Sequence, residues 1–309
     1  MRDYWIRSVT EDGTVRAMAA VTTRTVEQAR RRHATAPTAT AALGRTLTAA
    51  GLLGVSLKAG QTVMVRVLGD GPLGGALAMS DSSGAVRGYV ANPDVHLPLT
   101  PRGKLDVGRA VGRGTLQVTV DLGLRYPYHG SVPLVSGEIG EDLAAYLATS
   151  HQIPSLVALG VMVAPDERVL AAGGLIVQVM PGSDGRVAAY LERRARVLPT
   201  VTAMISGGHT PEEMVAAALG DVRAEIVERA PVRFRCGCTA AKVRAVLASL
   251  GEEEMADIVR EQGQIEVRCN FCSRRYSFTA EDIPAIVEAA RDGVPGTGGT
   301  ARQRVPRLS

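Results

Sequence analysis

The chain has 309 residues, of which 46% are hydrophobic, and its formal net charge at pH 7 is +4. This composition is typical of a globular protein with one large domain or two smaller ones, and it excludes a chain that is disordered throughout. The basic residues, 35 in number and nearly all arginine, are spread along the chain against 31 acidic residues, which argues against a dedicated nucleic-acid binder.

The N-terminus lacks the charged-then-apolar pattern of a secretory signal peptide, and no apolar run is long enough to span a membrane. The cysteines occur only as close pairs, which fits a reducing compartment where thiols stay available for metal. We therefore expect a cytoplasmic protein without a membrane partner.

Residues 1–182 are predicted to form an α+β domain. Short runs rich in β-branched residues and bounded by glycine or proline predict strands at Gln61–Leu68, Leu116–Leu122 and Gly174–Met180. A helical pattern covers Val26–Leu53 and is interrupted near Pro37. Another helix is expected after Ser136 as N-cap, with acidic residues in its first turns.

Residues 183–231 are predicted to form a helical linker. The pattern is helical and charged on one side, with breaks at Pro199 and at Gly207-Gly208. Thr210-Pro211-Glu212-Glu213 is a capping box with proline at the first helical position. It predicts a helix that begins there and continues to Val227.

Residues 232–292 are predicted to form a small C-terminal module. Thr239 is expected to cap a helix through Leu250, and a second helix is expected from Glu252 to Gln262, closed by Gly263. Alternating apolar residues on either side of the last cysteine pair predict a hairpin whose turn presents the thiolates. All three phenylalanines of the chain fall in this stretch and are expected to help hold it together. Residues 293–309 are expected to be a disordered tail.

The four cysteines of the chain are Cys236, Cys238, Cys269 and Cys272. A CxC pair and a CxxC pair separated by 30 residues have the spacing of a tetrahedral thiolate site, which predicts one structural zinc ion. Cysteines two residues apart form a disulfide only under strain, and strained disulfides are readily reduced. The same four sulfurs therefore suit a metal-bound and a disulfide-bonded state, which makes a redox switch physically possible.

The remaining motifs predict no catalytic residues. Gly69-Asp70-Gly71-Pro72-Leu73-Gly74 matches a dinucleotide-binding pattern, but a strand rather than a helix is expected from Ala76, so a turn is favoured. The five histidines show no metal-binding spacing. Acidic residues at 138, 141 and 142 suit a helix N-terminus. We therefore expect a binding protein and not an enzyme.

The sequence resembles the redox-regulated 33 kDa chaperonin family, the heat-shock holdases with a zinc-thiolate switch, over nearly its whole length. The resemblance is carried by the CxC and CxxC motifs, by Gly263–Val267 before the second pair and by Tyr276–Phe278 after it. Upstream segments that resemble the family are Gly69–Pro72, Gly130–Leu143, Pro154–Val161 and Ala172–Gln178.

The resemblance implies an ATP-independent chaperone that is inactive while reduced and zinc-bound. Oxidation would join Cys236 to Cys238 and Cys269 to Cys272, release zinc, unfold the C-terminal module and destabilise the linker. The oxidised form would be a homodimer and the reduced form a monomer, and residues 1–182 would serve client binding and dimerisation. Its partners would be unfolding proteins during oxidative stress, and 187–227 is the candidate client-binding segment.

Two alternatives remain open from the residues alone. A zinc-ribbon nucleic-acid binder is suggested by the arginines around the cysteines, with Phe271 as a stacking group. The arginines concerned are Arg233, Arg235, Arg268, Arg274 and Arg275. A thiol-disulfide oxidoreductase is disfavoured because the CxxC is expected in a hairpin turn rather than at the start of a helix.

Overall fold

The computed structural model describes residues 2–183 and 185–291, which pack as two compact units. Unit 1 comprises Met1–Cys236 together with Asn270–Cys272. Unit 2 comprises Gly237–Cys269 and the described chain from Ser273 onward. The division passes through both cysteine motifs, whereas the expected module began at residue 232. The expected tail, 293–309, lies outside the described residues.

The strands of unit 1 form two sheets, and the mixture of sheets and helices confirms the α+β fold class. The strands are β1 (Tyr4–Thr10), β2 (Val15–Val21), β3 (Thr62–Gly69), β4 (Ala76–Asp81), β5 (Ala85–Val90), β6 (Gly114–Asp121), β7 (Tyr128–Pro133), β8 (Ser155–Val163), β9 (Val169–Val179), β10 (Ala224–Pro231) and β11 (Arg233–Phe234). One sheet has the order β10-β1-β2-β9-β8, and the other has the order β11-β5-β4-β3-β6-β7. The strands predicted from sequence are confirmed as β3, β6 and β9.

The helices of unit 1 cover these sheets and connect them. They are α1 (Thr23–His33), α2 (Pro37–Gly54), α3 (Val107–Val111), α4 (Gly140–Ser150), α5 (Gly185–Val197), α6 (Val201–Ser206) and α7 (Pro211–Leu219). Helix α2 contacts strands of both sheets. Because it is enclosed on all sides, nearly all of its residues are buried, and its sequence is rich in alanine, leucine and threonine rather than amphipathic.

The predicted helix break near Pro37 is confirmed. Helix α1 ends at His33, and Pro37 is the first residue of α2. Proline is tolerated at this position because the first amides of a helix have no intrahelical acceptor. The GxGxxG-like segment is also confirmed as a turn, since Ala76 begins strand β4 and not a helix.

The start of α4 corrects the prediction that Ser136 is its N-cap. The helix begins at Gly140, and Ile139 before it has a positive φ of 68°. The buried carboxylate of Asp142 accepts hydrogen bonds from four backbone amides of the preceding turn. The donors and distances are Val135 (2.7 Å), Ser136 (3.0 Å), Gly137 (3.3 Å) and Ile139 (2.8 Å). Asp142, in the first turn of α4, therefore stabilises the turn that precedes the helix.

The predicted capping box at Thr210 is confirmed, but the predicted extent of its helix is wrong. Thr210 accepts a hydrogen bond from the amide of Glu213, whose carboxylate accepts one from the amide of Thr210. Helix α7 ends at Leu219 because Gly220 has a φ of +62°, a conformation that favours glycine. Residues 224–231 then form β10, which pairs antiparallel with β1. The segment predicted as a helical linker therefore ends in a strand.

Helices α5, α6 and α7 bury their apolar faces on the sheet that contains β1, β2 and β9. The buried residues they contribute to this core are Leu191, Val201, Met204, Met214, Val215, Ala218 and Leu219. Strand β10, by contrast, exposes Ile226 and Val227 at its surface. In this conformation these apolar residues of α5, α6 and α7 are covered, whereas Val197 at the end of α5 is exposed.

Strand β1, helix α7 and strand β10 are joined by contacts among three side chains, those of Tyr4, Glu212 and Arg229. The hydroxyl of Tyr4 donates to Glu212 Oε2 at 2.6 Å, and Arg229 forms an ion pair with the same carboxylate. The guanidinium of Arg229 also lies over the Tyr4 ring, 4.7 Å from its centroid. Burial and the hydrogen bond to Glu212 raise the pKa of Tyr4 to about 12, so the hydroxyl stays protonated as a donor.

Replacing Glu27 with glutamine is expected to reduce the pH dependence of the stability of unit 1. The Glu27 carboxylate accepts hydrogen bonds from Arg30, Arg31 and the amide of Val169. The hydrogen bond from Arg30 contributes most to lowering the pKa of Glu27 to about 2. A lowered pKa stabilises the fold above the unfolded-state value, about 4.3, and this stabilisation is lost as the pH falls toward 2.

We expect wild type to exceed Glu27→Gln in unfolding free energy by about 2 kcal/mol at pH 6, and by little near pH 2. The measurement is urea unfolding at several pH values, followed by fluorescence of Trp5, the single tryptophan, which is buried in unit 1. Glu11→Gln, at an exposed position, is the control. A difference between the two proteins that does not change with pH would contradict the assignment.

Unit 2 is built around a short hairpin and three helices. Its described elements are α8 (Ala240–Leu247), α9 (Glu252–Gln262), β12 (Ile265–Arg268), β13 (Arg275–Phe278), a 3₁₀ turn (Ala280–Asp282) and α10 (Ile283–Arg291). The predicted cap at Thr239, the second helix and the hairpin are confirmed, whereas α8 ends at Leu247 rather than Leu250. Among the described residues of this unit the buried core is small, and its members are Leu247, Met255, Ile265, Phe278, Ile283 and Ile286.

Among the residues that the structure describes, no helix combines the length and the apolar character needed to cross a membrane.

Candidate metal centre

The four cysteines converge on one point of the structure. Their Sγ atoms all lie within 4.8 Å of one another, and Cys272 is buried while the other three are half-buried. Four sulfurs bound tetrahedrally to zinc at about 2.3 Å would lie about 3.8 Å apart. The donor set and its spacing therefore fit a Zn²⁺ ion held by thiolates.

The CxxC pair occupies the turn of the β12–β13 hairpin, as predicted. The amide of Cys269 donates to the carbonyl of Arg274 at 2.9 Å, and the amide of Ser273 donates to the carbonyl of Cys269 at 2.7 Å. Ser273 has a positive φ of 55°, which turns the chain back into β13. In this compact turn the two sulfurs of the pair lie within 4.8 Å of each other.

The CxC pair follows a short strand of unit 1. Strand β11 pairs in parallel with β5, and the amide of Arg235 extends this pairing by donating to the carbonyl of Val86 at 2.9 Å. Beyond Cys238, Thr239 accepts a hydrogen bond from the amide of Lys242 and caps α8. The Lys242 ammonium donates to the carbonyl of Gly237 at 3.0 Å. The two cysteines are thus fixed by a strand before them and a helix cap after them.

Phe271, between the cysteines of the CxxC pair, belongs to unit 1 and packs on other residues of that unit. Its ring meets the Tyr89 ring edge-to-face with centroids 5.7 Å apart, and the Arg87 guanidinium lies 4.8 Å from its centroid. His33 Nε2 lies 3.3 Å from the Phe271 carbonyl oxygen. Because a carbonyl only accepts, Nε2 is the donor in this hydrogen bond. Strand β5 therefore contacts Arg235, just before the CxC pair, and Phe271, within the CxxC motif.

The phenylalanines do not act as one cluster, which corrects the expectation that all three hold the C-terminal module together. Phe278 is buried in the core of unit 2. Phe234 instead packs edge-to-face against His33 at 6.3 Å, with the Arg32 guanidinium 5.6 Å from its ring centroid. Only one of the three phenylalanines therefore belongs to the core of unit 2.

Tyr276 contacts the cysteine cluster directly. Its hydroxyl donates to Cys238 Sγ at 3.2 Å, and this hydrogen bond is the main cause that raises the pKa of Tyr276 above its usual value. The alternation of strand residues placed Tyr276 in the hairpin but gave no sign of this contact. The sequence patterns also missed His33, Arg87 and Tyr89, because no local spacing relates these residues to cysteines about 150 residues or more away in the chain.

The other residues considered from sequence lie apart from the cysteines. Glu138 forms an ion pair with Arg45, and Asp142 caps the turn before α4. The four histidines other than His33 bond to Thr38, Thr119, Tyr146 and the carbonyl of Met204. These contacts give each residue a local structural role.

The geometry weakens both alternative functions. The ring of Phe271, proposed as a base-stacking group, is half-buried between Tyr89 and Arg87. One of the surrounding arginines, Arg275, pairs with Glu266 at 3.4 Å. The CxxC lies in a hairpin turn and lacks the helix N-terminus that activates the cysteine of thiol-disulfide oxidoreductases.

Comparison with known proteins gives a consistent result. A family model described as "Hsp33 protein" matches residues 3–279. The chain is 48% identical over 288 residues to a 33 kDa chaperonin of Desulforamulus reducens, covering 93% of this chain and 98% of that protein. It is 46% identical over 285 residues to a 33 kDa chaperonin of Bacillus subtilis, covering 92% and 98%.

A solved structure shares the fold. It is the crystal structure of a 33 kDa chaperonin, a heat shock protein 33 homolog, from Thermotoga maritima. The TM-score is 0.88 at 36% sequence identity, and the match covers 94% of this chain and 100% of that one.

Proposed function

Because this chain belongs to the Hsp33 family of chaperones, we propose that it is an ATP-independent holdase switched on by oxidation of its four cysteines. The observation that carries the proposal is the convergence of the CxC and CxxC sulfurs within 4.8 Å of one another. We propose that it acts by binding clients and not by catalysis, in a cytoplasm that keeps its thiols reduced at rest.

In the reduced state we assign the four cysteines as ligands of one zinc ion. When bound, zinc holds the four sulfurs as thiolates and supplies folding free energy to the module around them. Unit 2 depends on this contribution because the buried core formed by its described residues is small. The reduced protein is proposed to be a monomer and inactive.

In the oxidised state we assign disulfides between Cys236 and Cys238 and between Cys269 and Cys272. For each disulfide, one thiolate attacks a peroxide oxygen and breaks the O–O bond, leaving a sulfenic acid and hydroxide. The second thiolate then attacks the sulfenic sulfur and displaces hydroxide. Two sulfurs give up two electrons for each peroxide, so complete oxidation consumes two peroxides. None of the four sulfurs then remains a thiolate ligand. Unit 2 therefore loses the folding free energy that zinc binding supplies.

The proposed client-binding surface is apolar surface of residues 183–231 that is covered in the conformation described. Helices α5 and α6 bury Leu191, Val201 and Met204 against the sheet that contains β1, β2 and β9. This apolar surface therefore cannot contact a client in the conformation described. Loosening of residues 183–231 would uncover it, which supports residues 187–227 as the client-binding segment. We further propose that residues 1–182 provide client contacts and the dimer interface, and that 232–292 act as the redox switch.

The test is suppression of aggregation of a heat-unfolding model protein, without ATP, by reduced and by peroxide-treated protein. We expect the oxidised protein to suppress aggregation at near-stoichiometric ratios and the reduced protein to have little effect. Treatment with reductant and zinc should restore the inactive state. Equal suppression by both forms would contradict redox control, and suppression by neither would contradict the holdase assignment.

A further inference from the structure

Tyr276 links the two cysteine motifs through one hydrogen bond. It lies on β13 opposite Val267 of β12, in the hairpin that carries the CxxC pair. Its hydroxyl donates at 3.2 Å to the sulfur of Cys238, which belongs to the CxC pair and lies 38 residues earlier in the chain. Both residues are part of unit 2.

The ring of Tyr276 is positioned by packing. Tyr276 and Phe278 point to the same face of β13 because strand side chains alternate. Phe278 is buried in the core of unit 2, and the half-buried Tyr276 packs against that core. The hydroxyl is therefore held in place by the hairpin, at the end of a side chain that has few ways to move.

We propose that Tyr276 is a positioning residue for the zinc site, whose hydroxyl holds the Cys238 sulfur among the ligands and slows its oxidation. This inference rests on the zinc-thiolate assignment made above. A hydrogen bond donated to a thiolate draws electron density from the sulfur, so the sulfur attacks peroxide more slowly. Partners that orient a metal ligand typically account for about 10-fold to 100-fold in metal affinity.

The test is Tyr276→Phe in the full-length protein, which removes the hydroxyl and keeps the ring. In the reduced protein we expect zinc affinity, measured by competition with a chelator, to fall about tenfold or more. With Co²⁺ in place of zinc, we expect the thiolate-to-metal charge-transfer band to move to longer wavelength, because the sulfur lone pair rises in energy. Under peroxide, zinc release should be several-fold faster than in wild type.

Tyr126→Phe is the control, since Tyr126 is exposed and belongs to unit 1. Unchanged affinity and an unchanged cobalt spectrum in Tyr276→Phe would overturn the inference. A lower affinity with an unchanged charge-transfer band would also overturn it, because the effect would then come from packing and not from the hydrogen bond. Failure of wild type to bind zinc would instead refute the zinc assignment on which the inference rests.

Discussion

Replacing Cys269 and Cys272 together with serine is expected to abolish zinc binding and to unfold unit 2 while unit 1 stays folded. Two remaining thiolates supply half of a tetrahedral ligand set, and serine hydroxyls do not replace thiolates on zinc at neutral pH. The binding free energy of a structural zinc, about 10 kcal/mol or more, is also folding free energy for a small module. The small buried core that the described residues of unit 2 form cannot offset this loss.

The measurements are metal content by elemental analysis and hydrogen exchange across the chain. Amides of the β12–β13 hairpin should lose protection, whereas Trp5 fluorescence should report an intact unit 1. Ser277→Ala, at an exposed position on β13, is the control for substitution within the hairpin. Metal content equal to wild type in the double variant would contradict the four-thiolate site.

Asp142→Ala is expected to destabilise unit 1 by about 3 kcal/mol or more. The Asp142 carboxylate is fully buried and accepts hydrogen bonds from four backbone amides in the turn before α4. Alanine would leave these donors without an acceptor, and a buried unpaired amide is costly. The same carboxylate also supports Ile139, whose positive φ is unfavourable for a β-branched residue.

Urea unfolding followed by Trp5 fluorescence measures this effect. Glu141→Ala is a matched control, because Glu141 is the exposed neighbour in the same helical turn. The control should unfold at nearly the same urea concentration as wild type, and Asp142→Ala at a much lower one. An unfolding midpoint for Asp142→Ala equal to that of the control would show that the four hydrogen bonds contribute little.

Local signals in the sequence predicted the local features of the fold. The capping box at Thr210, the break at Pro37 and the strand β3 depend on neighbouring residues, and each was found where expected. The cysteine cluster was predictable for a related reason. Pair spacing restricts how thiolates can share a metal, so four cysteines in two close pairs indicate one site even when the pairs are far apart in sequence.

Long-range contacts explain what sequence patterns missed. Residues 224–231 form a strand because β1 offers an unpaired edge, and a helical pattern upstream gives no sign of that edge. The Asp142 carboxylate, and not Ser136, caps the turn before α4. Its hydrogen bonds to backbone amides exist only once the turn has formed. The packing of Phe271 on Tyr89 likewise joins residues that no sequence period relates.

The most direct test of a redox switch in this protein follows zinc release and client aggregation together on one sample, before and after peroxide under mildly unfolding heat. We expect zinc to leave as holdase activity appears, and both changes to reverse when reductant and zinc are added. Zinc release without any gain in client binding would show that the four cysteines form a purely structural site and would contradict the switch.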